Sequence, residues 1–233
     1  MSPRKILLPL ALVILTASAR AFSNTWYVDA SAAPPGNGTI GSPYASIQYA
    51  HDQATTVDDD LILVAPGTYF ENLTLIKLVT VRATGGAEST TLRPLVAGTV
   101  LTMQGVAKSF DLPAFEGFRI TGAFGPPLTA AVRSFEGTLS RCIVEGTPGA
   151  GHVGIVNEFD AIITRCTIAG NDIGILHADI WVITYLSNTI LWNRVNGSED
   201  HSRGDADNFI CKELPREEES TTFAPANGTE GRI

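Results

Sequence analysis

Apolar residues in the middle of the chain recur in short alternating runs at nearly constant intervals. Phe115-x-x-Phe118-x-Ile120-x-Gly122, Leu139-x-x-Cys142-x-Val144-x-Gly146, Ile163-x-x-Cys166-x-Ile168-x-Gly170 and Leu186-x-x-Thr189-x-Leu191-x-Asn193 align at offsets of 24, 24 and 23. A period of two within each run predicts a short strand with one buried face, and the closing Gly or Asn supplies a turn residue that tolerates positive φ. A second apolar cluster follows in each unit: Ala130-Ala131-Val132, Gly154-Ile155-Val156 and Gly174-Ile175-Leu176. With two or three short strands per repeat and no helical period, the pattern predicts an all-β solenoid whose turns stack as parallel strands, about 4.8 Å per rung.

That register places specific side chains. Phe118, Cys142 and Cys166 form an inward column, with Ile120, Val144 and Ile168 beside it. Vertically stacked cysteines have nearly parallel Cβ vectors, which disfavours the disulfide torsion, so a buried thiol ladder is expected. The third cysteine, Cys211, lies outside the repeat. Arg141 and Arg165, also 24 apart, are expected at equivalent outward positions on adjacent rungs, their guanidinium groups within about 5 Å. Glu145 on the same face is the expected internal counter-charge. The functional alternative is that the pair receives the carboxylates of an acidic sugar chain, for which the guanidinium fork is suited.

The two ends differ from the body. Residues 1–21 read as a secretory leader: Arg4 and Lys5, an apolar run from Ile6 to Leu15, and an Ala19-Arg20-Ala21 cleavage site. Ten apolar residues are too few to span a bilayer, and no other run approaches that length, so an exported chain without a membrane span is expected. Residues 194–233 hold 9 acidic and 5 basic groups with few apolar residues, and read as a disordered acidic tail. The full chain of 233 residues carries a formal charge of -8, which argues against a nucleic-acid partner, because phosphate neutralisation needs a basic face.

The segment preceding the repeat carries a recognisable combination. Trp26-Tyr27-Val28-Asp29, Gly36-Asn37-Gly38-Thr39, Ser42-Pro43-Tyr44, Ser46-Ile47-Gln48-Tyr49-Ala50, Leu61 through Asn72, including Pro66-Gly67-Thr68-Tyr69-Phe70-Glu71-Asn72, and Val79-Thr80-Val81 resemble the opening of secreted right-handed parallel β-helix proteins of the pectin-lyase-like superfamily. The resemblance covers residues 26–193. It implies a right-handed parallel β-helix of about five to six rungs over residues 22–193, closed at its N-terminal end by a short helix. Ser46 suits the N-cap of that helix, with Ile47, Ala50 and Ala54 on one face.

The same fold hosts lyases, hydrolases, esterases and carbohydrate-binding proteins, so it does not fix a reaction. Pro66-Gly67-Thr68-Tyr69 is similar to the start of pectin methylesterases, but their Gln-Asp, Asp-Phe and later Arg segments have no counterpart here. Of the polygalacturonase pattern only Gly151-His152 is present, without the carboxylate pair that a glycosidase needs. The expectation is a noncatalytic secreted β-helix, a surface or carbohydrate-interaction module. The alternatives are a carbohydrate-active enzyme on acidic polysaccharide and a truncated remnant of a longer protein. Arg141 and Arg165 are the candidate binding residues; no catalytic residue, cofactor or metal is expected.

Three further features carry weaker chemistry. Asp58-Asp59-Asp60 precedes a strand, so the carboxylates diverge and read as a solvated turn rather than a calcium site. His152 and His177, 25 apart with Asp179 nearby, would need to stack on adjacent rungs to hold a metal. Four Asn-x-Ser/Thr sequons, at Asn37, Asn72, Asn196 and Asn227, fit the composition of β-helix turns.

Overall fold

A computed structural model describes residues 22–193 apart from 54, 105–111, 135, 147–150, 179–181 and 183, together with strands at 195–197 and 210–213. The described chain enters through β1 (Thr25–Val28) and α1 (Ile47–Asp52), then coils in rungs of three strands. The first two rungs are β2 (Leu61–Val64), β3 (Gly67–Phe70), β4 (Leu73–Leu75) and β5 (Thr80–Ala83), β6 (Thr90–Arg93), β7 (Leu101–Met103). The next two are β8 (Ala114–Glu116), β9 (Arg119–Thr121), β10 (Ala130–Ser134) and β11 (Gly137–Ser140), β12 (Ile143–Glu145), β13 (Val153–Asn157). Then come β14 (Ala161–Thr164), β15 (Thr167–Ala169), β16 (Ile173–His177) and β17 (Thr184–Ser187), β18 (Ile190–Asn193), β19 (Val195–Gly197), followed by β20 (Ile210–Glu213).

Corresponding strands of successive rungs pair in parallel, giving three sheets along one axis. The first runs β1-β2-β5-β8-β11-β14-β17, the second β3-β6-β9-β12-β15-β18-β20, the third β4-β7-β10-β13-β16-β19. The predicted columns are present. Ile120, Val144 and Ile168 are in register, continue to Leu191, and are fully buried. Phe115, Leu139, Ile163 and Leu186 face them from the first sheet. Each such side chain contributes about 1.5–3 kcal/mol by leaving water, so the core is a stack of equivalent layers.

A two-residue bend joins the first sheet to the second. Its leading residue takes left-handed backbone geometry on four successive rungs: Gly117 (φ 77°), Arg141 (φ 54°), Arg165 (φ 56°) and Asn188 (φ 50°). The following residue, Phe118, Cys142, Cys166 or Thr189, is buried. Its N–H has left the strand ladder and donates to a side chain one rung on: Phe118 to Cys142 Sγ (3.5 Å), Cys142 to Cys166 Sγ (3.4 Å), Cys166 to Thr189 Oγ1 (3.4 Å). Both thiols are free, and burial pushes the Cys142 thiol up. The thiol ladder therefore satisfies backbone donors that a purely apolar column would strand.

The N-terminal end is closed by α1. Ser46 is its N-cap, accepting from Tyr49 N (3.1 Å), and Ile47 and Ala50 enter the core. The helix ends at Asp52; Ala54 lies outside the described residues. Glu71 completes the cap from the first rung, its carboxylate accepting from Ile47 N (2.9 Å), Gln48 N (2.7 Å) and Ser46 Oγ (3.1 Å). Asn72 accepts from Leu95 N and Val96 N and donates to Val96 O and Thr99 O, pinning the next loop. Tyr69 is buried, its hydroxyl donating to Ala65 O (2.9 Å), and burial pushes its pKa up to about 12. The Pro66–Asn72 segment is thus scaffold.

Two expectations are corrected here. Asp58 and Asp59 are exposed as a solvated turn requires, but Asp60 is fully buried and accepts four hydrogen bonds. His152 and His177 do not stack. The third sheet advances by 20 residues there, Val153 pairing with Ile173, so His177 lies beside Asn157 at the opposite end of the strand from His152. Asp179 lies outside the described residues, and among those described there is no cluster of metal-ligating side chains. Beyond Asn193, where the repeat was expected to stop, β19 and β20 still pair with β16 and β18. Residues 1–21, expected as a leader, and the rest of the expected tail lie outside the described residues, among which no helix is long and apolar enough to cross a membrane.

Candidate functional site

The first sheet and its bend gather charge into a strip along the axis. Arg82 on β5 pairs in register with Glu116 on β8, and its Nε donates to Glu116 Oε2 at 2.7 Å. From the bend on the next rung Arg141 reaches back to the same oxygen at 3.2 Å. Arg165 occupies the equivalent bend position one rung further, exposed and without an ion pair among the described residues. The order along the axis is therefore Arg, Glu, Arg, Arg, a local excess of positive charge on a chain of charge -8.

Arg141 and Arg165 take equivalent bend positions on adjacent rungs, with Arg141 N donating to Thr164 O and Arg165 N to Ser187 O. They sit in left-handed bends and not on a strand face, and Glu145 is not their counter-charge. Glu145 lies on the second sheet and binds Arg119 Nη1 at 2.6 Å. The contact that neutralises Arg141 comes from Glu116 on the preceding rung. Glu116 is one regular 24-residue step from Ser140, beside Arg141, but falls on a variable position of the alignment, whereas Arg82 lies beyond the 34-residue step between Thr80 and Ala114.

Beside the strip lies a cavity of about 320 Å³ lined by Phe22, Arg82, Leu112, Glu116, Thr138 and Ile162. The Phe22 ring centroid is 5.6 Å from the Arg82 guanidinium carbon, a cation–π distance. Ile162 pairs with Tyr185 on the next rung, and both remain about 40% exposed (40% and 43%). Sequence patterning missed Arg82, Glu116, Phe22 and Tyr185, since each lies outside the four-unit alignment or on its variable positions.

A larger cavity, about 480 Å³, opens beside α1 between Ser46, Gln48, Phe70, Glu71, Asn72 and Leu95. Its polar groups serve the scaffold: Glu71 and Ser46 cap α1, Asn72 pins a loop, and the Gln48 amide is bonded to Thr74 N, Thr74 O and Asp52. That leaves little hydrogen-bonding capacity for a ligand. Three outward carboxylates are likewise engaged. Glu116 holds Arg82 and Arg141, Glu145 holds Arg119, and Glu158 holds Arg133. Glu88 and Glu145 both bind the Arg119 guanidinium.

The architecture is a right-handed parallel β-helix. Solved structures similar to it include pectin methylesterase PemA from Erwinia chrysanthemi, at 14% identity and a TM-score of 0.52, covering 76% of this chain and 57% of that one. Pectin methylesterase from Aspergillus niger matches at 12% identity and a TM-score of 0.44, over 91% of this chain and 92% of that one. The chain therefore spans a little over half the length of the PemA structure that it matches. No family model and no curated protein matches the chain.

Proposed function

We propose that this chain is an exported, noncatalytic β-helix module that binds acidic polysaccharide through Arg141 and Arg165. The observation that carries the reading is Arg165, an exposed guanidinium without an ion pair among the described residues, one rung from Arg141. Two arginines on adjacent rungs offer neighbouring positive charges, and a planar carboxylate is the group a guanidinium fork accepts best. The noncatalytic part is supported by Glu116, Glu145 and Glu158, outward carboxylates that are held by arginines. The likeness to methylesterases is one of fold, and the Pro66–Asn72 segment that suggested esterase kinship works as scaffold here.

Binding to polygalacturonate, measured by calorimetry at low and moderate salt, tests the reading. Affinity should fall with salt and vanish in the Arg141→Ala, Arg165→Ala double variant while the circular dichroism spectrum is retained. An assay for methanol release from methylated pectin and for chain cleavage runs alongside. Turnover in either would replace the module by a carbohydrate-active enzyme, and absence of binding at low salt would remove the polysaccharide reading altogether.

A further inference from the structure

We infer that the outer face of the first sheet is a linear array of subsites for a polyuronate chain laid parallel to the solenoid axis, extending from Arg82 to Tyr185. This rests on the polysaccharide reading and adds the face, the direction, the length and further contact residues. Arg82, Glu116, Arg141, Arg165 and Tyr185 stand on five successive rungs, four ladder steps, so the strip is about 19 Å long. A flexible polyanion running along a single rung would meet only one arginine. Lying along the axis, it meets three, at roughly one pyranose unit per rung.

The strip is bordered by surface suited to sugar rings. A pyranose has a C–H face that stacks on aromatic or branched apolar side chains, and hydroxyls at its edge that accept from guanidinium N–H groups. Ile162 and Tyr185 supply adjacent exposed apolar surface on the rungs of Arg165 and beyond. At the other end the 320 Å³ cavity offers Phe22 and Thr138 beside Arg82, whose Nε alone is used on Glu116. Glu116 takes the place of a ligand carboxylate between Arg82 and Arg141, so the bound polymer has to share or displace it.

Length dependence tests this. Oligogalacturonates of two to eight units, titrated into the intact chain, should bind more tightly with each added unit up to about five, then level off. Arg82→Gln and Tyr185→Ala should each weaken the hexamer several-fold and leave the dimer unchanged. Glu116→Gln should tighten the hexamer several-fold by releasing two guanidinium groups. If the dimer binds as tightly as the hexamer, or if Arg82→Gln and Tyr185→Ala leave the hexamer unaffected while the Arg141, Arg165 double variant abolishes binding, the array is wrong and the two-arginine site stands. If no oligomer binds at low salt, both readings fall.

Discussion

Asp60 offers the sharpest test of how the N-terminal end is held. Its carboxylate is fully buried and accepts from Asn24 N (2.9 Å), Asn24 Nδ2 (3.1 Å), Trp26 Nε1 (2.8 Å) and Val57 N (3.0 Å). These bonds reinforce the ladder pairing of β1 with β2 and also fasten the loop after α1, which that pairing does not reach. Asp60→Ala leaves at least three donors without an acceptor, each costing about 1–3 kcal/mol where water cannot follow. Partial solvent access puts the sum nearer the low end, about 3–5 kcal/mol, a large share of a typical stability of roughly 5–15 kcal/mol. Asp60→Asn keeps the shape but turns an N–H₂ toward N–H donors, so it should cost about half as much. Urea unfolding followed by far-UV circular dichroism measures both, and Trp26 fluorescence reports the local change. An Asp60→Ala protein within about 0.5 kcal/mol of the parent would show that the carboxylate does not hold this end together.

Two other outcomes follow from the core and the cap. Val144→Asp puts a carboxylate without a partner between Ile120 and Ile168, and the coil should lose its cooperative unfolding transition; a soluble, cooperatively folding variant would mean the inward register is wrong. His51 is buried with Nε2 accepting from Ile76 N and Lys77 N and Nδ1 bonded to Asp52, so burial lowers its pKa despite Asp52, with Lys77 adding to the lowering. The unfolded chain then takes up the proton first. Stability is complete above an ordinary imidazole value of about 6.5 and is lost as pH falls from there through the lower folded value. Urea midpoints between about pH 7.5 and 5 should decline in the parent and flatten in His51→Gln, and identical profiles would refute the assignment.

The inward columns were legible because burial imposes the same period on every rung, so Val144 and Ile168 announce themselves by spacing. The thiol ladder was legible for the same reason. Other features depend on partners far along the chain. Nothing local distinguishes Asp60 from its two exposed neighbours, since its burial is decided by Asn24 and Trp26, 36 and 34 residues earlier. The Arg82–Glu116 contact spans a 34-residue step of the first sheet, where the repeat loses its period. His152 and His177 do not meet the stacking condition, because 25 residues is close to one rung at the bend but not on the third sheet, where loops shorten the step to 20. The left-handed bend was hidden because strict alternation reads Arg141 and Arg165 as outward strand residues; Gly117 and Asn188 at the same place are the signal that would have exposed it.

That bend position also separates structure from function. Left-handed geometry suits Gly and Asn and costs a residue such as Arg about 1 kcal/mol, through the close approach of Cβ to the carbonyl. Gly117 and Asn188 obey that preference, whereas the two rungs between them hold Arg141 and Arg165. The Arg141 to Glu116 contact repays little, because the arginine is exposed and such pairs contribute about 0.2–1 kcal/mol. Strain retained on two successive rungs, at the two residues whose charges have most to gain from an anion, is what a binding site kept at some expense of stability looks like. Replacing both by the residue found on the next rung, Arg141→Asn with Arg165→Asn, should therefore raise stability by about 1 kcal/mol while removing polygalacturonate binding. Urea midpoints and calorimetric titrations on the same samples read both quantities. A fall in stability would make the arginines structural, and a rise in stability with binding intact would move the polysaccharide site elsewhere on the coil.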